Sequence, residues 1–168
     1  LNITSDHIDY HGSFKTYREI KERIFARQNA GDLAILNADE ETTASLRGRL
    51  SARTEFFSSS GAVDRGVFLS GETLVHLLPA GEKEEYPLAM IHLPGRHNCE
   101  NVMAAILAAR ACGCPPPAII RAVDSFRGIA HRIAYAGEKN GVLFYDDSKG
   151  TNVGAVMRAL ESFSQPVV

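Results

Sequence analysis

Apolar positions near the start of the chain recur at the spacing of one helical face. Phe14, Tyr17, Ile20, Ile24 and Phe25 predict a helix over residues 14–28, with Ser13 placed to cap its first turn. The apolar run at residues 32–37 reads as a short buried strand, and residues 38–50 are polar and helix-prone. A β-rich stretch follows, with strands expected over 53–58, 66–69 and 72–78, Ser70-Gly71 as a hairpin turn, and a further strand over 86–93. The alanine-rich segment 98–111 is the strongest helical signal. Gly113 and Pro115-Pro116-Pro117 end it and start a shorter helix over 118–126. Residues 132–138 and 142–145 flank Lys139-Asn140-Gly141, an Asn-Gly hairpin signal, and residues 152–163 read as a last helix. Strands and helices alternate at both ends around a β-meander, which predicts an α/β fold carrying an antiparallel insert. The turn at Arg127-Gly128-Ile129 is the expected domain boundary, dividing 1–128 from 129–168.

Composition narrows the class. With 168 residues, 45% hydrophobic and 23% charged, the chain can bury roughly 70% of its unfolded surface without a disulfide or a structural metal. The 18 basic and 20 acidic side chains leave a formal charge of −2, which offers no pull toward nucleic acid or an acidic membrane. Three cysteines, Cys99, Cys112 and Cys114, have no C-x-x-C spacing and read as reduced thiols of a cytoplasmic protein. No apolar run approaches the ~18 residues of a membrane span. Both ends look cut: the chain opens without methionine and stops at Gln165-Pro166-Val167-Val168, where a new apolar strand starts.

Four segments could carry chemistry. Asp6-His7-Ile8-Asp9-Tyr10-His11 could bind a divalent cation, as in a metal-dependent hydrolase, or be a polar loop. Lys21, on the first long helix, reads locally as a solvated lysine. Gly95-Arg96-His97-Asn98-Cys99-Glu100-Asn101 delivers the chain into a helix, with Asn98 and Asn101 at i, i+3 on one face. Two amides so placed suit the edge of a purine, and equally Asn98 could simply cap the helix. Asp146-Asp147-Ser148-Lys149-Gly150-Thr151-Asn152 runs from a strand into a helix. There Lys149 and Thr151 could grip a carboxylate or phosphate, or Asp147 or Thr151 could cap the helix. No G-x-x-x-x-G-K-S/T phosphate loop occurs in the chain.

In order and spacing these segments resemble the Mur ligases, ATP-dependent amino-acid ligases of peptidoglycan synthesis. The resemblance is carried by Asn2-Ile3-Thr4-Ser5-Asp6-His7-Ile8-Asp9, Tyr17 with Lys21 and Ile24-Phe25, Asn37-Ala38-Asp39, and the G-x-H-N-x-x-N of Gly95 to Asn101. Ala130-His131-Arg132 and the D-S-K-G-T-N run from Asp147 to Asn152 are similar to the branch of the family that adds D-glutamate. The G-R-M-E and D-Y-A-H-T-P stretches of the diaminopimelate- or lysine-adding branch are absent.

The resemblance implies the later part of a central ATP-binding domain, a mostly parallel sheet with helices and a small antiparallel meander. The first hairpin and helix of a Rossmann-like C-terminal domain would follow. It implies ATP, UDP-MurNAc-L-alanine and D-glutamate as small-molecule substrates, and a monomeric parent enzyme. By the same resemblance His7 helps hold Mg²⁺, and Lys21 is carbamylated, which turns a repelling ammonium into an oxygen ligand for a hard cation. Asn98 and Asn101 read adenine, Arg132 and Asp147 lie near the nucleotide, and Lys149 and Thr151 hold the D-glutamate carboxylates. Lacking a phosphate loop, the 168 residues alone are expected to be inactive, and any oligomer they form could come from an exposed sheet edge. Other readings are another Mur-type or folylpolyglutamate-type ligase, the hydrolase above, or a non-catalytic nucleotide-binding module.

Overall fold

The structure is a computed structural model that describes Ile3, residues 8–79 and residues 81–168. A four-residue helix α1 (Ile8–His11) precedes α2 (Phe14–Glu22), where Ser13 Oγ accepts the Thr16 N–H at 3.1 Å, the expected cap. The helix ends well before residue 28, tightening into a 3₁₀ turn at Arg23–Phe25. There the side chains of Asn29 and Asp32 take over nearby amides, Asp32 from Asn29 and Asn29 from Gly31, both at 2.8 Å. Of the apolar stripe on α2 only Tyr17 is buried, while Phe14, Ile20 and Ile24 are exposed.

Strands β1 (Leu33–Asn37), β2 (Arg53–Ser58), β3 (Gly66–Ser70), β4 (Thr73–Leu77) and β5 (Lys83–Pro87) form one sheet in sequential order. β1, β2 and β3 pair parallel, whereas β3, β4 and β5 form the antiparallel meander. Between β1 and β2 the helix-prone segment yields only α3 (Glu41–Ala44). Thr43 Oγ1 donates to the Asn37 carbonyl at 2.6 Å and Ser45 Oγ to that of Thr42 at 2.7 Å, so hydroxyls compete with helix bonding. The last strand lies earlier than the expected 86–93. Pro87 lacks an N–H and closes it, and Leu88–Met90 turn in a 3₁₀ helix.

Adjacent residues of a strand point to opposite faces, so burial of both Phe56 and Phe57 means that both faces of β2 are covered. Phe57 joins Val67, Leu74, Met103, Ile106 and Leu107 under helix α4 (Arg96–Ala111), and Phe56 joins Leu36, Leu46 and Val63 on the other side. Each fully buried Leu or Ile here contributes about 2 kcal/mol. Helix α5 (Pro116–Ser125) adds Ile119 to the larger cluster. A hairpin of β6 (Ala134–Lys139) and β7 (Val142–Asp146) follows, and then α6 (Val153–Leu160). The hairpin turns at Asn140 and Gly141, both at positive φ, as the Asn-Gly pair predicts.

The charged strand β5 is held by a polar cluster invisible to hydrophobic patterning. His76 Nδ1 lies 3.1 Å from Glu84 Oε2, Arg110 of α4 spans both Glu84 oxygens at 2.9 and 2.7 Å, and Tyr86 donates to Glu84 at 3.0 Å. Burial works against a charge on His76, but its bonds with Glu55 and Glu84 outweigh that and raise its pKa. Burial likewise opposes the Glu84 charge, and His76, Tyr86 and Arg110 together hold its pKa below the usual carboxylate range. A raised histidine pKa contributes stability below its unfolded value and loses it as pH climbs through the folded value. The lowered Glu84 contributes above its unfolded value and loses it as pH falls through the folded one. Stability is therefore expected to be greatest between the two limbs. Urea midpoints measured against pH should fall on the alkaline side, and His76→Gln should remove that fall. Glu84→Ala, stranding Arg110 and His76, is expected to cost about 3 kcal/mol at neutral pH.

Candidate functional site

Gly95 precedes helix α4 at its cap position, and its φ of +95° turns the chain sharply into the first turn. A Cβ there would meet the Ser162 hydroxyl, just beyond α6, and the His97 ring, so the glycine permits α6 to close on α4. Asn98 is the third residue of the helix and not its cap: its Nδ2 donates to the Pro94 carbonyl at 2.7 Å. Asn101 Nδ2 lies 3.4 Å from Asn98 Oδ1, so the two amides stand side by side on one face.

Facing them is the segment that enters and leaves the hairpin. His131 and Ile133 both adopt positive φ, 68° and 47°, unusual for side-chain-bearing residues and most of all for a β-branched one. Arg132 sits between them. Two bonds over-determine this strained stretch: Ile133 N–H donates to Asp147 Oδ1 at 3.1 Å, and Lys149 N–H to the His131 carbonyl at 3.0 Å. Asp146 accepts the Ser148 backbone N–H at 3.0 Å and lies 2.7 Å from His131 Nδ1, which hold its carboxyl down at about 2. The cap of α6 is Asn152, which accepts the Ala155 N–H at 2.7 Å, not Asp147 or Thr151.

Between these walls lies a cleft of about 860 Å³. It gathers Asn98, Asn101, Arg132, Asp147 and Lys149, separated by up to 51 positions in sequence, counting from Asn98 to Lys149. Phe126, Ile129 and Ala155 supply apolar lining, suited to the faces of a planar ring. Thr151 is exposed and outside this lining, its N–H turned to the Lys149 carbonyl at 3.0 Å.

Two ionisable side chains of the lining, His97 and Arg158, have no role assigned from the sequence. His97 belongs to the G-x-H-N segment, and burial followed by the charge of Arg158 lowers its pKa, keeping the imidazole neutral. Arg158, on α6, carries no local signal, because an arginine on a short helix reads as solvated.

Lys21 is half-buried in the last turn of α2, its Nζ 5.4 Å from the centroid of Tyr17. Asp6 and His7 lie outside the described residues, while Asp9 is exposed and His11 meets the Tyr10 ring edge-on and the Tyr17 ring at a tilt. Among the described residues no three His, Cys, Asp or Glu side chains gather to hold a metal ion. An unmodified Lys21 brings a positive charge, so Lys21 suits a cation only after that charge is removed. Among the described residues, too, no helix is long and apolar enough to cross a membrane.

Residues 1–109 match the Mur ligase middle domain. The chain is 57% identical over its whole length to the UDP-N-acetylmuramoylalanine–D-glutamate ligase of Syntrophus aciditrophicus, and 43% identical over 99% of its length to that of Koribacter versatilis. It spans 37% of each of these relatives. In fold it is similar to MurF of Acinetobacter baumannii, with a TM-score of 0.76 at 22% identity over 96% of this chain and 35% of that one. It is also similar to MurC of Thermotoga maritima, with a TM-score of 0.65 at 21% identity over 94% of this chain and 35% of that one. By the middle-domain match over most of its length, this chain belongs to the Mur ligase family.

Proposed function

We propose that this chain is part of a bacterial, cytoplasmic, ATP-dependent ligase that joins D-glutamate to UDP-N-acetylmuramoyl-L-alanine in peptidoglycan synthesis. The observation that carries the reading is the convergence of Asn98, Asn101, Arg132, Asp147 and Lys149 on one cleft with apolar walls. The relatives that share the whole of this chain carry that activity in their names.

In this reading residues 1–128 belong to the central ATP-binding domain, and 129–168 open the amino-acid-binding domain. Asn98 and Asn101 present donors and acceptors to the adenine edge. The Arg132 guanidinium faces the anionic part of the nucleotide, and Asp147 fixes the backbone that aims it. The nucleotide-sugar carboxylate attacks the γ-phosphorus of ATP, forming an acyl phosphate as ADP leaves. The amine of D-glutamate then attacks the acyl carbon and expels phosphate. Lys149, with Thr151, orients the D-glutamate carboxylates, lowering the barrier by positioning rather than by proton transfer.

Magnesium, held by His7 and a carbamylated Lys21, would neutralise charge on the transferred phosphoryl group. Without a phosphate loop of its own, the 168-residue chain by itself turns over no ATP.

The test is ADP release by a full-length protein carrying this segment, given UDP-MurNAc-L-alanine and Mg²⁺ with D-glutamate, L-glutamate, L-lysine or meso-diaminopimelate. Release is expected with D-glutamate alone and is expected to be lost in Lys149→Ala. Dependence on another amino acid would keep ligase chemistry and overturn the substrate assignment. No release with any of them would favour a non-catalytic nucleotide-binding module.

A further inference from the structure

Glu40 follows Asn37-Ala38-Asp39 at the end of β1 and occupies the cap position of α3, yet its side chain makes no cap bond. Instead it is largely buried, with 14% of the side chain exposed, and reaches to two remote parts of the chain. Oε2 accepts the N–H of Ile3, itself buried, at 2.8 Å. Oε1 is buried and has no hydrogen bond among the described residues, while Arg158 Nη2 of α6 stands 3.9 Å away. A buried carboxylate oxygen without a donor is unfavourable, and the donor that can satisfy it is about 1 Å beyond bonding distance.

Arg158 itself lines the cleft. Its helix begins at the Asn152 cap, directly after Asp147–Thr151, so any shift of α6 is passed to the Lys149 loop. At its far end Ser162 Oγ donates to the Arg158 carbonyl at 2.7 Å and sits against Gly95, where α4 starts.

We propose that Glu40 and Arg158 are positioning residues. Their ion pair sets α6, and with it the Lys149 loop, against the end of β1 and the α4 amides. Through Oε2 the same carboxylate also holds the Ile3 N–H. The charge on Glu40 therefore couples the two sides of the cleft without touching substrate. The consequence for D-glutamate rests on the function proposed above; the contact does not.

The experiment is a double-mutant cycle in a full-length protein carrying this segment. Glu40→Gln keeps an acceptor for Ile3 and removes the charge facing Arg158, and Arg158→Gln removes it from the other side. Glu40→Gln, outside the cleft lining, is expected to raise KM for D-glutamate about threefold to tenfold, with kcat and KM for ATP within about twofold. Arg158→Gln, which also removes a side chain from the cleft lining, should raise KM for D-glutamate at least as much; the double variant should be no worse than Arg158→Gln, and Arg158→Lys should restore most of the loss. Unmoved KM for D-glutamate, or additive effects of the two glutamine variants, would overturn the proposal. Hydrogen exchange in α6 separates this from failure of the ligase reading. Faster exchange in both glutamine variants supports the contact even if the unaltered protein shows no D-glutamate-dependent turnover, whereas unchanged exchange overturns it.

Discussion

Gly66→Ala is expected to abolish the folded state or to destabilise it by at least about 4 kcal/mol. Parallel strands are ordinarily joined by a crossover of a dozen or more residues, but here residues 59–65 alone separate β2 from β3. The short return forces the two backbones together at Phe56 and Gly66, which pair directly, and the Phe56 N–H donates to the Arg65 carbonyl at 3.0 Å. Gly66 has a φ of +126°, and an added Cβ would sit on the Phe56 carbonyl oxygen, with the Phe56 amide nitrogen at 2.7 Å. Backbone cannot swing aside as a flexible side chain would. Relief requires separating β2 from β3, which exposes Phe57 and Val67 of the larger core. Gly71→Ala is the control: its φ is also positive, +57°, but a Cβ there would meet nothing within 4 Å. It should cost only about 1–2 kcal/mol, the left-handed penalty alone. Urea unfolding followed by circular dichroism compares the two, and an alanine at position 66 as mild as one at 71 would show that the strands can part cheaply.

Asp147→Ala, in a full-length protein carrying this segment, is expected to lower kcat/KM for the proposed reaction about a hundredfold while changing thermal stability by less than about 1 kcal/mol. The carboxylate faces the cleft and, through Oδ1, holds the Ile133 N–H. Without that bond, only the Lys149 N–H to the His131 carbonyl still restrains the positive-φ conformations flanking Arg132, and the Ile133 side of the stretch is free to relax. The relief of strain offsets the lost hydrogen bond, so stability barely moves, but the guanidinium loses its aim. Asp147→Asn keeps an oxygen for Ile133 and should retain much more activity if positioning dominates. Equal damage from Asn and Ala would mean that the negative charge itself is what the cleft needs.

Signals read correctly from sequence were those whose cause lies within a few residues. Ser13 caps α2 because a hydroxyl three residues from a free amide is sufficient, and Asn140-Gly141 turn the hairpin because both tolerate positive φ. Asn98 and Asn101 share a face by helical spacing alone, and the family was recognisable from short motifs in order. The errors arose where distant partners decide. Strand β5 begins at the charged Lys83-Glu84-Glu85, ahead of the expected 86–93, where His76, Tyr86 and Arg110 close on Glu84. The apolar stripe of α2 suggested a buried face, but only Tyr17 is covered.

The family motifs, the local turns and caps, and the short segments that carry candidate chemistry are all legible along the chain, since each depends on neighbouring residues. That Asn98, Arg132 and Lys149 share one cleft, that Arg158 lines it, and that Glu40 reaches Ile3 and Arg158 instead of capping α3 emerges only when the elements pack together. Those outcomes follow from how strands and helices stack. Burial and charge pairing between elements far apart in the chain select the arrangement, and no local pattern records them.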